Sequence, residues 1–339
     1  MKTSIWSVAT ALASLAVTTV ASPIAVTISG RASITDSDLS KMKLFSQYSA
    51  AAYCNSGNAA GQAVTCSGNA CPQVAANGAK TYKTFAGILT DIQGLIAVDP
   101  TSKLIVVTFR GSSSVRNWIS NIVFAFSSCS LVSGCQVHTG FNAAWAEVSS
   151  SVKSGVTAAL KANPGFAVVA TGHSLGGAVA TLAAAALRSS ASVDLYTYGS
   201  PRVGNDAFAN FVSSQPGLET RVTHLDDPVP RLPPLLFGYR HTSPEYWLYT
   251  GGATTTAYGV EDVRVCSGSA NVGCNAGTLG LDVFAHLYYL GPISGCSGGF
   301  DFRKRAEEEI SDAELEERLN MFAKLDVQYA AAINNGTAG

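Results

Sequence analysis

Phe166-Ala167-Val168-Val169-Ala170-Thr171-Gly172-His173-Ser174-Leu175-Gly176-Gly177 holds a strand, a tight turn and the start of a helix. Residues 166–171 form a short apolar run of strand type, and residues 177–188 are Ala-rich and of helix type. Between them the chain spells Gly-x-Ser-x-Gly. A reversal this sharp requires both glycines, because a side chain at 172 or 176 would collide with the neighbouring backbone. Ser174 is then pushed out of the sheet on a strained turn, where its hydroxyl can act as a nucleophile. The helix that follows aims its N-terminal amides at the same place, and these favour negative charge. The bland alternative is an ordinary Gly-rich turn, and strand, turn and helix in this order argue against it.

Around this turn, strands and helices alternate. Helical spacing covers residues 36–53, 141–162 and 206–214. Strand-type runs cover 104–109, 193–198 and 220–225. The alternation predicts an α/β fold, a mostly parallel central sheet covered on both faces by helices. Across the 339 residues, 47% are hydrophobic and 13% charged, enough apolar material for one large core. A formal net charge of −1 excludes the basic field that nucleic acid would need.

A nucleophilic serine needs a base and an acid to orient it, in the chain order Ser, Asp or Glu, His. There are five histidines. His138 precedes the serine, and His173 lies within the turn, facing the other way. His224 precedes the Asp226-Asp227 pair and would need an earlier acid such as Asp194 or Asp206; His241 is also available. His286, late in the chain in Phe284-Ala285-His286-Leu287, is the best-placed base, expected on a loop, with a packed core histidine as its bland reading. Asp227 is the best acid. It follows a strand, and Pro228-Val229-Pro230 stiffens the chain after it. Asp226 is the alternative, and since side chains alternate along a strand only one of the two should face the site.

The N-terminus carries Lys2, an apolar run over 5–20 and small residues at Thr19 and Ala21, which predicts a signal peptide over 1–21 rather than a membrane anchor. Residues 22–31 read as a short propeptide ending at Arg31. Export fits the eight cysteines, none of them in a C-x-x-C pair. Neighbours in sequence suggest the clips Cys66–Cys71, Cys129–Cys135 and Cys266–Cys274, leaving Cys54 with Cys296, although spacing alone proves no connectivity. The main domain is expected over 32–300. From Asp301 on, the chain carries nine acidic and five basic residues. Here Ser311 and Glu314 predict a capping box, and Leu315, Leu319 and Phe322 share a helix face. This extension, 301–339, is either a solvated helix or a propeptide released after Arg303-Lys304-Arg305; the second is the favoured reading. The one N-glycosylation sequon, Asn335-Gly336-Thr337, lies inside it.

Several runs together resemble one family. Gly172 to Gly177, Tyr198-Gly199-Ser200-Pro201-Arg202-Val203-Gly204-Asn205, Val222-Thr223-His224 through Asp227 to Arg231-Leu232-Pro233-Pro234, Ser243-Pro244-Glu245-Tyr246-Trp247 and Ala285-His286-Leu287 are similar to the extracellular triacylglycerol lipases of filamentous fungi. The likeness spans roughly residues 36–296. It implies an α/β-hydrolase fold, a catalytic triad of Ser174, Asp227 and His286, and secretion. It also implies an oxyanion hole from the Ser112 and Leu175 amides, Ser112 being otherwise a simple turn serine. Cys54–Cys296, Cys66–Cys71 and Cys129–Cys135 match pairs expected in the family. Cys266–Cys274 looks like an addition, and the acidic tail departs from the commonest pattern.

Val115, Trp118, Ile119 and Ile122 fall at i, i+3, i+4 and i+7, one apolar face of a short helix. Such a helix could pack in a core; in this family it resembles the lid, which would cover the catalytic pocket and roll back at a lipid surface. An apolar lid points to long-chain acylglycerols, whereas feruloyl esterases of the same fold tend to carry a polar one. The expected partner is therefore acylglycerol at a lipid–water interface, met by a monomer that needs no metal or organic cofactor. A feruloyl or short-chain carboxylesterase is the alternative. A non-catalytic surface-binding relative is the third reading, opposed by the intact Ser, Asp and His set.

Overall fold

The computed structural model describes residues 34–112, 114–296 and 310–334. The expected signal peptide and N-terminal propeptide, the basic triplet at 303–305 and the sequon at 335–337 lie outside the described residues. The chain begins with helices α1 (Asp36–Asn55) and α2 (Pro72–Ala76) and strands β1 (Lys80–Ala86), β2 (Gln93–Asp99) and β3 (Leu104–Phe109). Helix α3 (Val115–Asn121), β4 (Phe126–Ser128), β5 (Gln136–His138), α4 (Thr139–Ala162), β6 (Ala167–His173) and α5 (Leu175–Leu187) follow. Next come β7 (Val193–Tyr198), β8 (Gly204–Asn205), α6 (Asp206–Ser214), β9 (Glu219–His224), β10 (Tyr239–Arg240), β11 (Glu245–Leu248) and β12 (Val263–Cys266). Helices α7 (Val283–Leu287) and α8 (Asp312–Asn334) close the series.

The main sheet has eight strands in the order β1-β2-β3-β6-β7-β9-β11-β12. Its centre, β3 to β11, is parallel, and the strands beyond it on each side are antiparallel. The pleat sorts side chains to two cores. Ile105, Val107, Phe109, Val168 and Ala170 face α4 and α5, while Val106 and Val169 face α1. Two buried hydroxyls on the α1 face are satisfied by α1 itself: Thr108 Oγ1 donates to the Tyr48 carbonyl at 3.0 Å, and Thr171 Oγ1 pairs with Ser49 Oγ at 2.9 Å. Antiparallel β1–β2 and β11–β12 are edges that the sequence reading did not place. The four disulfides join Cys54 to Cys296, Cys66 to Cys71, Cys129 to Cys135 and Cys266 to Cys274.

Helix α8 lies against this domain. Ser311 caps it as a reciprocal box with Glu314, the hydroxyl accepting from the Glu314 amide at 3.2 Å and the carboxylate accepting from the Ser311 amide at 2.8 Å. Near its far end Asp326 is buried. It accepts from Arg202 Nη1 at 2.8 Å and from the Leu235 amide at 2.7 Å. Arg202 also donates to the carbonyls of Arg231 and Pro233. Removing one member of a buried ion pair costs about 3–5 kcal/mol, because the other charge is left without compensation. Asp326→Ala is therefore expected to loosen α8 from the domain, raising amide exchange over residues 315–330 by more than about 100-fold. Unchanged exchange there would mean that Arg202 and Asp326 do not hold the helix.

Candidate active site

Strand β6 runs to His173, two residues beyond its expected end, and delivers Ser174 at the C-terminal edge of the parallel strands. Ser174 has φ +59° and ψ −132°, a conformation side-chain-bearing residues rarely adopt. The two turn glycines make it feasible. A Cβ on Gly172 would lie 2.8 Å from the Gly177 amide, and one on Gly176 would lie 2.8 Å from the Phe109 carbonyl carbon and 2.9 Å from that of Arg110. Gly176 therefore presses the turn against the end of β3, where Gly111 and Ser112 follow. Leu175 is the first residue of α5, so its amide belongs to the first-turn donors that have no partner within the helix.

His286 and Asp227 meet directly. Asp227 Oδ2 accepts from His286 Nδ1 at 2.8 Å, and both side chains are fully buried. Asp226 is half-buried and is not the partner; burial raises the pKa of its carboxyl. The Asp227 carboxylate also accepts from the Val229 amide at 2.9 Å and from the Tyr289 hydroxyl. Gly199, at φ +56°, lies between the pieces: a Cβ there would stand 2.9 Å from Asp227 Oδ2 and 2.9 Å from His286 Nδ1. The residue before it, Tyr198, accepts the Ser174 amide on its carbonyl at 2.9 Å. Residues 198–199 thus touch all three. The other imidazole nitrogen, His286 Nε2, is buried and has no hydrogen-bond partner among the described residues. Such an orphan is costly in a core and common where a proton must be taken.

His286 sits on the one-turn helix α7, not on a loop as expected. Asp282 makes that turn by accepting the Ala285 amide at 3.0 Å. Two further histidines hold the turn in place: His173, expected to face away, and His224, expected to act as a base only with an earlier acid. His173 Nε2 donates to the His286 carbonyl at 2.8 Å while its Nδ1 accepts from the Tyr53 hydroxyl at 2.8 Å. His224 Nδ1 donates to the Ala285 carbonyl at 2.8 Å while its Nε2 accepts from Tyr258 at 2.7 Å. A carbonyl cannot donate, so these contacts assign the neutral tautomer of each ring. Burial lowers both imidazole pKa values, for His173 with the added repulsion of neighbouring His286. His173 does not face away from the site; its ring centroid is 4.4 Å from that of His286. Of the remaining histidines, His138 caps α4, and His241 donates to the Pro230 carbonyl at 2.7 Å, bracing the chain after Asp227.

The residues expected to form the lid occupy α3 and the position after it. Val115 and Ile119 are buried, and Trp118 and Ile122 are partly so. Ser114 begins the helix by accepting the Asn117 amide at 3.4 Å. Val115 and Ile119 pack with Val229 and Leu232, which follow Asp227, and with Leu287, which follows His286. The apolar face of α3 is thus turned onto the segments that carry the acid and the base.

Known proteins resemble this chain in sequence and in fold. The family model described as lipase (class 3) matches residues 106–237, and that of the lipase 3 N-terminal region matches 8–83. A secreted mono- and diacylglycerol lipase of Fusarium solani is 51% identical over 297 residues, 87% of this chain and 88% of that one. Its counterpart from Penicillium cyclopium is 39% identical over 80% of this chain and 91% of its own. The crystal structure of a mono- and diacylglycerol lipase from Aspergillus oryzae superposes with a TM-score of 0.73 at 38% identity, covering 78% of this chain and 99% of that one. With an α/β-hydrolase sheet, a strained serine turn and relatives of this closeness, the chain belongs to the class 3 lipase family.

Proposed function

We propose that this secreted lipase hydrolyses acylglycerol esters, mono- and diacylglycerols before triacylglycerols, through an acyl-enzyme on Ser174. The observation that carries the reading is the buried Nε2 of His286, which has no hydrogen-bond partner among the described residues and whose ring is fixed through Nδ1 on Asp227 beside the serine turn. His286 Nε2 takes the proton of Ser174 as Oγ bonds to the ester carbonyl carbon. The carbonyl electrons move to oxygen, where the Ser112 and Leu175 amides receive the charge. The glycerol oxygen leaves with the proton from His286. Water, deprotonated by the same nitrogen, then releases the fatty acid and restores Ser174. Asp227 holds the tautomer and stabilises the imidazolium.

The apolar face of α3 supports a lipid substrate. The likeness to relatives named for mono- and diacylglycerols favours the smaller acylglycerols over the triacylglycerols expected from the sequence. The test compares emulsified diolein, emulsified triolein and a dissolved short-chain ester, with rates expressed per Ser174 titrated by a fluorophosphonate. Diolein is expected to be hydrolysed fastest. Hydrolysis confined to dissolved short-chain or feruloyl esters, in the full chain and in a chain ended after Arg305 alike, would replace this reading with a soluble carboxylesterase.

A further inference from the structure

Helix α8 carries an apolar stripe at helical spacing. Leu315, Leu319, Ala323 and Ala330 are buried, while Glu317 and Met321 on other faces are exposed. What the stripe covers is specific. Leu315 and Leu319 complete the cluster of Val115, Ile119, Val229, Leu232 and Leu287, so one helix touches α3, the segment after the acid and the segment after the base. Polar contacts fasten α8 to α3. Arg116 Nε donates to Asp312 Oδ1 at 2.7 Å, and its Nη2 donates to the Ile310 carbonyl at 2.7 Å. Further along, the Phe322 ring lies edge-on to Phe124 at 5.7 Å between centroids, immediately beyond the end of α3.

We propose that α8 is an intramolecular cap that holds α3 shut over the catalytic pocket and competes with the lipid surface for the same apolar face. The proposal rests on reading Ser174 as the nucleophile of a lipase. An α3 that rolls outward must present Val115 and Ile119 to its surroundings. In this chain those side chains already have an apolar neighbour, and it is covalently attached. Attachment makes the competition unequal: a tethered segment acts at an effective concentration on the order of millimolar. Acyl chains must displace Leu315 and Leu319, and the Arg116–Asp312 contact must open, before the pocket is exposed. The solvated-helix reading of this segment is replaced by one in which its polar face meets water and its apolar face blocks the lid.

The deciding variant is Leu315→Glu with Leu319→Glu, which removes the apolar cover yet leaves Asp326 on Arg202. Rates on emulsified diolein are measured per fluorophosphonate-titrated Ser174, beside the full chain. The expected result is a rise of at least tenfold in the per-site rate and a shorter lag after addition to the emulsion. A chain ended after Arg305 should behave alike, and a synthetic peptide of residues 310–334 should slow it again; if that chain does not fold, the double variant decides. A per-site rate equal to or below that of the full chain would overturn the proposal, since a helix that merely braces the fold changes the number of active sites and not their speed. If neither form is labelled by the fluorophosphonate nor hydrolyses any ester, the lipase reading itself has failed, and the two failures are thereby separated.

Discussion

Ser174→Ala is expected to lower kcat by about a million-fold, the size of effect seen when a triad nucleophile is removed. The residual rate, about 10³–10⁴-fold above water, would come from the oxyanion donors and substrate binding. The substitution keeps Cβ, so the strain at φ +59° and the packing of Gly172 and Gly176 around the turn persist. The melting temperature should therefore stay at the parent value while activity disappears. Ser174→Gly separates strain from chemistry. A glycine adopts this backbone freely, which relieves about 1–3 kcal/mol, and loses about 0.4–1 kcal/mol through a more disordered unfolded chain. Relief exceeds loss, so this equally inactive variant should melt above the parent. Diolein hydrolysis and thermal melts of the three proteins make the check. A Ser174→Ala protein retaining more than about 1% of kcat would remove this residue from the role.

How much of this was legible beforehand depends on the range of the interactions involved. The serine turn could be read because its requirements are local: a strand, two glycines and a small-residue helix within one short run. The same holds for the capping box of α8 and for β3, whose observed bounds are those expected. Element ends near Ser174 shifted for a local reason as well. The run of glycines concealed that α5 starts at Leu175, directly after the nucleophile. Edge strands were missed because their pattern is weak; β1, Lys-Thr-Tyr-Lys-Thr-Phe-Ala, is part-exposed and mixes charge with aromatics. The Tyr53–His173 and Tyr258–His224 contacts have no sequence pattern at all. Their partners are 120 and 34 residues apart and meet only when the sheet has formed. Asp326 was invisible for another reason: an acidic residue on a charged helix reads as solvated, and only its burial against Arg202 shows otherwise.

Asp227→Asn is expected to lower kcat by about 10⁴-fold, with the fold intact. The hydrogen bonds decide how the amide sits. Oδ1 accepts from the Val229 amide, a donor that cannot be reversed, so the amide oxygen must stay there. The amide nitrogen then takes the place of Oδ2, facing His286 Nδ1 and the Tyr289 hydroxyl. Tyr289 can turn its proton away, but the imidazole must change tautomer. With Nδ1 now accepting, the proton moves to Nε2, the atom that has to accept from Ser174. The base is thereby blocked although every heavy atom keeps its place. Asp226→Asn is the control, since that carboxyl is half-buried and does not touch the ring; its kcat should stay close to the parent value. Nitrogen-15 NMR of the His286 ring reads the tautomer directly, and diolein kinetics read the rate. Loss of less than about tenfold in Asp227→Asn, or an equal loss in both variants, would show that Asp227 does not set the tautomer of His286.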